Sequence, residues 1–325
     1  MKAIVAGSPG SEILLDPIAT ALSAEGWSIS RFYGESLDCI APTCWTDVEI
    51  LVCYGLPCGP PQLQRAPMLL GIVSPTIGYE WIDEAAASSR GILVVNGAVP
   101  ENQESMAEAA ILLLLAALYD LPGAQAELRA QGRRRTPPRM LKGKTVGLLG
   151  YGNIAKAMIT RLQGWGADLI VHRRGDTGTD ERVHFVSLAA LLERSDALIL
   201  LASLNEDSRG IIDAAALDRM KKGAVLVNIA RGGIVDEAAL AGRLADGRLS
   251  MAALDVFETE PLPNGSPLRA LSNAILTPHA IGHTVESFAA IPAAAIDNAL
   301  ALSRWEMPAS ARNRHIEKAW LGRRG

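Results

Sequence analysis

Short apolar runs bounded by glycine, proline or polar residues alternate along this chain with longer stretches of helical spacing. In residues 1–101 the runs Ala3–Ala6, Ile50–Cys53, Leu69–Val73 and Ile92–Asn96 read as buried strands, with helices over Pro17–Glu25 and Trp81–Ser88. Apolar strands alternating with helices predict a parallel sheet covered on both faces. The segment Tyr54–Pro67 is too rich in proline and glycine to stay regular for long. A longer helix is expected over Gln103–Leu118, with Glu101 and Glu104 at its start, where the helix dipole favours acidic side chains. It is apolar nearly all round from Ala109 and should be buried on most sides.

From Thr145 the alternation becomes regular. Strands are expected at Val146–Leu149, Leu169–His172, Ala197–Leu201, Ala224–Ile229, Ala252–Val256 and Ile275–Leu276. Helices fall between the early ones, at Ile154–Gln163, Leu188–Glu193, Ala214–Met220 and Glu237–Ala245. A helix over Phe288–Leu302 and a polar, arginine-containing tail close the chain. The pattern predicts an α/β protein with two doubly wound parallel-sheet domains. Their expected bounds are 1–101 with the returning segment 286–325, and 102–285 between them.

The most informative turn is Gly150-Tyr-Gly152-Asn153-Ile154-Ala155, directly after a buried strand. Two glycines allow a sharp turn and close approach to a pyrophosphate, and the helix start supplies free amides and a positive dipole end. Glycines also end strands in proteins that bind nothing, so the turn gains meaning only from its place as the first strand-to-helix turn of a doubly wound domain. The next strand ends in Arg173-Arg174, where an acidic residue usually holds ribose hydroxyls. A guanidinium pairs with a 2′-phosphate that a carboxylate would repel, so NADP(H) is expected over NAD(H). The plain alternative is two solvated arginines at a turn.

Three further spots lie at or just after later strands: Asn228-Ile-Ala230-Arg231, Asp255-Val-Phe-Glu-Thr-Glu260 and Thr277-Pro-His279. An arginine can clamp a carboxylate, a histidine can pass a proton at neutral pH, and a carboxylate can orient the imidazole. Each residue alone has a bland reading as a loop arginine, a solvated glutamate or a satisfied turn histidine. The loop Ser74-Pro-Thr-Ile77-Gly78 also follows a strand and so falls at a ligand-binding edge, unless it is an ordinary turn.

Charge and cysteine usage exclude several classes. The net charge is -4, from 31 basic and 35 acidic residues, so no global field recruits nucleic acid or anionic membrane. Residues 129–144 hold basic side chains and no acidic one, but without interleaved aromatics they read as a solvated connecting loop. The longest apolar run, Ala109–Tyr119, is too short for a bilayer-spanning helix of roughly 20 residues. The N-terminus lacks a signal-peptide pattern, which makes a cytoplasmic location the default expectation. Cys39, Cys44, Cys53 and Cys58 lack close Cys-x-x-Cys pairs and a nearby histidine, so reduced structural thiols are expected and no metal.

The stretch Gly143–Thr284 strongly resembles the D-isomer-specific 2-hydroxyacid dehydrogenase family, which includes glyoxylate/hydroxypyruvate reductases and phosphoglycerate dehydrogenases. The motifs that carry the resemblance are Val146–Ala155, Ser208–Ile212, Met220–Asn228, Ala230–Asp236, Ala253–Pro263 and Thr277-Pro-His279. Gly78–Asp83 and Ser105–Glu108 look like family landmarks in a less similar N-terminal part. The resemblance implies a Rossmann nucleotide-binding domain inserted in a flavodoxin-like substrate domain. With the NADP preference read from the arginines and NAD as the alternative, the cofactor is expected at Gly150, Gly152, Asn153, Ile154, Arg173, Arg174, Ala230 and Asp255. Arg231 would bind the substrate carboxylate and carbonyl, Ile77 and Gly78 the same carboxylate through backbone amides. His279 would be the acid/base and Glu260 its partner. A homodimer built on the 103–118 helix is implied as well, and a small 2-keto or 2-hydroxy acid is the expected partner, with no nucleic acid and no membrane.

Some positions depart from the family pattern. The usual His-x-Pro is replaced by Leu201-Ala-Ser203, the third glycine is Ala155, and a second histidine, His283, follows His279. No regulatory extension is expected after residue 325, and this expectation disfavours phosphoglycerate as substrate. The expectation is an NADPH-preferring reductase of glyoxylate, hydroxypyruvate or a related acid, with Tyr54, Leu56 and Ile77 as guesses for the wall that selects it. Rival expectations are a nucleotide-sensing protein of the corepressor type, and phosphoglycerate or phosphite oxidation on the same scaffold. Glu260 argues against formate, because formate enzymes of the family pair the histidine with Gln.

Overall fold

The computed structural model describes residues 1–130, 137–175 and 178–324. It divides into two compact units: Met1–Asn102 together with the chain from Thr284 onward, and Gln103–His283.

The first unit holds a five-stranded sheet of β1 (Lys2–Gly7), β2 (Ser28–Tyr33), β3 (Ile50–Tyr54), β4 (Gly71–Ser74) and β5 (Leu93–Asn96). The strands are parallel in the order β2-β1-β3-β4-β5. Both faces of β1 and β3–β5 are covered, as their near-continuous aliphatic runs require. On one face the helix Glu12–Ala24 buries Leu15, Ile18, Ala19 and Leu22, and the helix Val285–Ser303 buries Ala295, Ala299 and Leu302. The latter helix is long and apolar enough to cross a bilayer, and here lays one stripe on the sheet. Gly71 permits that closeness, since a Cβ there would lie 2.6 Å from the Leu302 side chain.

Strand β2 was not expected. Ser28, Ser30 and Arg31 give it the look of a loop, yet at the sheet edge only one flank pairs, in register with β1 from Lys2↔Ser28 to Gly7↔Tyr33. The polar tail contributes to this unit's core and sheet edge. Asn313 is fully buried, accepts from the Val94 amide at 2.9 Å and donates to the Ile92 carbonyl at 2.9 Å, closing the free edge of β5. Trp320 is fully buried too and donates to the Leu70 carbonyl at 3.1 Å. Leu56 packs in the core, 2% exposed, which removes it as a wall residue. Burial pushes the Cys53 thiol up and the Cys58 thiol up to about 12, so both are held protonated.

The second unit holds β6 (Thr145–Leu149), β7 (Asp168–His172), β8 (His184–Phe185), β9 (Ala197–Leu200), β10 (Ala224–Asn228), β11 (Leu249–Leu254) and β12 (Ala274–Leu276). All are parallel in the order β12-β11-β10-β9-β6-β7-β8. The strand order reverses between β6 and β9, and ligands of open α/β sheets bind at that crevice. The two-residue β8 is too short to read from a pattern. The helix Pro100–Leu118 buries Ala107, Ala110, Ile111, Leu113, Leu114, Ala117 and Leu118, but Leu112 stays 55% exposed, so its burial is less complete than expected. A further helix, Leu121–Arg129, follows a bend at Asp120, whose side chain caps the Gly123 amide at 3.1 Å. Of the basic segment, residues 131–136 lie outside the described residues. Arg139 donates to the Gly223 carbonyl and to Ser250 Oγ, both at 2.6 Å, which is a structural role.

Candidate active site

At the reversal point, β6 runs into the turn Gly150–Gly152 and the helix Asn153–Leu162. Gly150 has φ +112, and a Cβ there would stand 2.8 Å from the backbone of Leu201 and Ala202, so only glycine fits. A Cβ on Gly152 would enter open space, and no side chain caps this helix. Open room above uncapped amides at Asn153, Ile154 and Ala155 is a cradle for a pyrophosphate. Ala155 is fully buried, where a small residue lets helix and strand close up. These features fit a dinucleotide.

Arg173 lies just past β7. Its guanidinium carbon sits 3.8 Å over the Phe185 ring and 5.1 Å from the Tyr151 ring, and it donates to the Gly178 carbonyl. A cleft of about 370 Å³ beside it is lined by Val171, Arg173, Gly175, Phe185, Val186 and Ser187. Arg174 is exposed and pairs with Asp207.

The other residues singled out from sequence gather in the same unit at the ends of β10, β11 and β12. Buried Asn228 shapes the first loop: its Oδ1 accepts from the Ala230 amide and its Nδ2 donates to the Arg231 carbonyl, both at 3.0 Å. Arg231 Nη1 donates to the Ala230 carbonyl at 2.7 Å. Gly232 locks this loop onto the next one, for a Cβ there would lie 1.8 Å from the Phe257 carbonyl carbon.

In that second loop the Glu260 carboxylate accepts from the Phe257 amide at 3.0 Å and from His279 Nδ1 at 2.6 Å. A carboxylate only accepts, so Nδ1 carries a proton, and the His279 side chain is 46% exposed. Burial raises the Glu260 pKa, but the His279 and Phe257 hydrogen bonds and the charges of His279 and Arg231 outweigh it, leaving the group lowered and ionised at neutral pH. His279 has φ +53, a left-handed conformation uncommon for a non-glycine residue. Asp255, 1% exposed, fixes that turn: one oxygen accepts from Thr277 Oγ1 at 2.7 Å and from the amides of Ala280 at 3.0 Å and Ile281 at 3.2 Å. Sequence reading gave Asp255 a cofactor contact and missed this anchoring, as it missed Asn228 and Gly232. His283 is held below its ordinary pKa by burial and by the charge of His279, with Asp255 opposing, and it is not the histidine that Glu260 grips.

Ile77 and Gly78 lie in the first unit, in the loop after β4. Three of its carbonyls are tied down: Thr76 by the Gly97 amide at 3.0 Å, Ile77 by Asn96 Nδ2 at 2.7 Å, and Gly78 by Ser74 Oγ at 2.6 Å. Among the described residues the amides of Ile77 and Gly78 donate to no protein acceptor. Also among the described residues, no group of three His, Cys, Asp or Glu side chains could hold a metal ion.

The profile of the D-isomer specific 2-hydroxyacid dehydrogenase, NAD binding domain, matches residues 111–280. The chain belongs to the D-isomer-specific 2-hydroxyacid dehydrogenase family. A glyoxylate reductase of Korarchaeum cryptofilum is 35% identical over 267 residues, which is 78% of this chain and 79% of that protein. A D-3-phosphoglycerate dehydrogenase of Mycobacterium tuberculosis is 38% identical over 234 residues, covering 69% of this chain but only 43% of the relative. Among solved structures, an NADPH-dependent glyoxylate/hydroxypyruvate reductase from Sinorhizobium meliloti superposes with a TM-score of 0.83 at 28% identity, over 96% of this chain and 97% of that one.

Proposed function

We propose that the protein is an NADPH-preferring oxidoreductase that reduces small 2-keto acids of the glyoxylate or hydroxypyruvate type to D-2-hydroxy acids. The observation that carries the reading is the His279–Glu260 hydrogen bond of 2.6 Å, with Arg231 close enough to lower the Glu260 pKa. A bound reduced nicotinamide supplies the hydride in such a reaction. The phosphate turn at Gly150, Gly152, Asn153 and Ile154 would hold its pyrophosphate, Ala230 and Asp255 would lie at its nicotinamide end, and Arg173 and Arg174 would pair with the 2′-phosphate.

Arg231 binds the substrate carboxylate and polarises the carbonyl through paired hydrogen bonds. As the imidazolium, His279 donates its Nε2 proton to the developing alkoxide, and the Glu260 carboxylate keeps the ring oriented. The amides of Ile77 and Gly78 are proposed as further carboxylate contacts, since their loop turns its carbonyls to internal donors. The exposed apolar side chains Leu112, Tyr119, Leu121 and Leu128 support a homodimer, for which light scattering should give twice 34.4 kDa.

Arg173→Asp tests the cofactor choice. Loss of a charge-assisted phosphate contact should weaken NADPH roughly 10- to 100-fold while NADH changes by less than about threefold. Equal responses of the two cofactors would rule the assignment out. Oxidation of D-3-phosphoglycerate with NAD is a second reading, favoured by the 38% identity to the mycobacterial enzyme.

A further inference from the structure

We infer that Asn96 is a positioning residue for the substrate carboxylate, which sets the direction of the Gly78 amide from behind the loop. The inference rests on the reading of Ile77 and Gly78 as carboxylate contacts and adds a residue which that reading does not name.

Asn96 ends β5 as the register partner of Ser74, which ends β4. Both are buried where the loop Ser74–Gly78 leaves the sheet, and Asn96 is 2% exposed. Its Nδ2 donates to the Ile77 carbonyl at 2.7 Å, while its buried Oδ1 has no hydrogen-bond partner among the described residues. A buried acceptor left bare is unfavourable, so the bond made by the nitrogen is what favours an amide here. The main chain of Asn96 is held as well. Its carbonyl accepts from Asn298 Nδ2 at 3.2 Å, and Asn298 Oδ1 accepts from Ser310 Oγ at 3.0 Å.

A trans peptide points its N–H and its C=O in opposite directions. The Ile77–Gly78 peptide is trans, so fixing the Ile77 carbonyl on Asn96 aims the Gly78 N–H away from Asn96. The Gly97 amide does the same for the Ile77 N–H, by holding the Thr76 carbonyl at 3.0 Å. Only glycine fits there, since a Cβ on Gly97 would lie 1.7 Å from the Pro75 carbonyl oxygen. Neither N–H meets a protein acceptor among the described residues, which leaves two successive donors for one anionic group. Donation by Asn96 into the Ile77–Gly78 peptide also polarises it, making the Gly78 N–H a stronger donor to a carboxylate.

The test is steady-state kinetics of the full chain with NADPH and glyoxylate, read as KM against kcat. A contact made equally to the ground state and the transition state appears in KM. Asn96→Ala should raise the glyoxylate KM about tenfold, with kcat within about threefold and the NADPH Kd within about twofold of wild type. A merely structural role would lower the active fraction, and so kcat, at unchanged KM. Asn96→Asp keeps the shape of the side chain at less risk to folding. Above neutral pH its carboxylate has no proton to give to Ile77, so it should raise KM by at least as much. Wild-type KM in either variant overturns the inference and leaves the functional reading standing. A wild-type protein that reduces no 2-keto acid would overturn the functional reading and this inference with it.

Discussion

His279→Ala should lower turnover with a 2-keto acid by at least about a hundredfold, while the Kd for NADPH stays within about twofold of wild type. The size follows from what positioned general acid–base catalysis contributes, roughly 10²–10⁴-fold. Cofactor affinity should hold because the imidazole is tied to Glu260, and the turn around it is held by Asp255 rather than by its own ring. Glu260→Gln is the companion. It keeps a hydrogen-bond acceptor for Nδ1 and removes the negative charge, and it should lower turnover by less than His279→Ala does. A near-normal rate for His279→Ala in stopped-flow NADPH oxidation would remove the histidine from the chemistry.

Arg231→Ala carries the second large effect. Two charge-assisted hydrogen bonds of roughly 1.5–3 kcal/mol each imply a fall in kcat/KM on the order of 10²–10⁴-fold. The loss should appear in KM as well as kcat, because the guanidinium holds the ground-state carboxylate and also meets the carbonyl that gains charge. Arg231→Lys should recover only part of it, since an ammonium cannot reproduce the planar fork. The loop itself should survive either change, because Asn228 and Gly232 shape it through the backbone and not through the arginine side chain. Unchanged kcat/KM in Arg231→Ala would place the substrate elsewhere.

Much of this arrangement was legible in the chain. Buried parallel strands are continuous aliphatic runs, so β6, β9 and β10 announce themselves, and chemistry at their carboxyl ends is found by reading one turn further. Gly150 follows β6 and Arg231 follows β10 in this way, and His279 follows the shorter β12. Strand β2 was hidden because an edge strand with one solvated flank does not need an aliphatic run. Asn313 and Trp320 were hidden because burial in a tail depends on distant backbone groups, at the edge of β5 and just before β4, that they satisfy. In the site, the requirement for glycine at 232 comes from the Phe257 backbone, and the anchoring by Asp255 from three donors in a later turn. Phe185, over which Arg173 stacks, gave no signal at all, since the contact exists only once β7 and β8 pair.

The most direct test of the central claim is a matrix of initial rates for the purified protein. NADPH and NADH would each be run against glyoxylate, hydroxypyruvate, pyruvate and phenylpyruvate, with NAD and D-3-phosphoglycerate as the competing pair. The account predicts rapid NADPH oxidation with glyoxylate or hydroxypyruvate and a kcat/KM for NADPH at least about tenfold above that for NADH. Tight NADPH binding with no turnover of any acid, or turnover confined to NAD with D-3-phosphoglycerate, would contradict it.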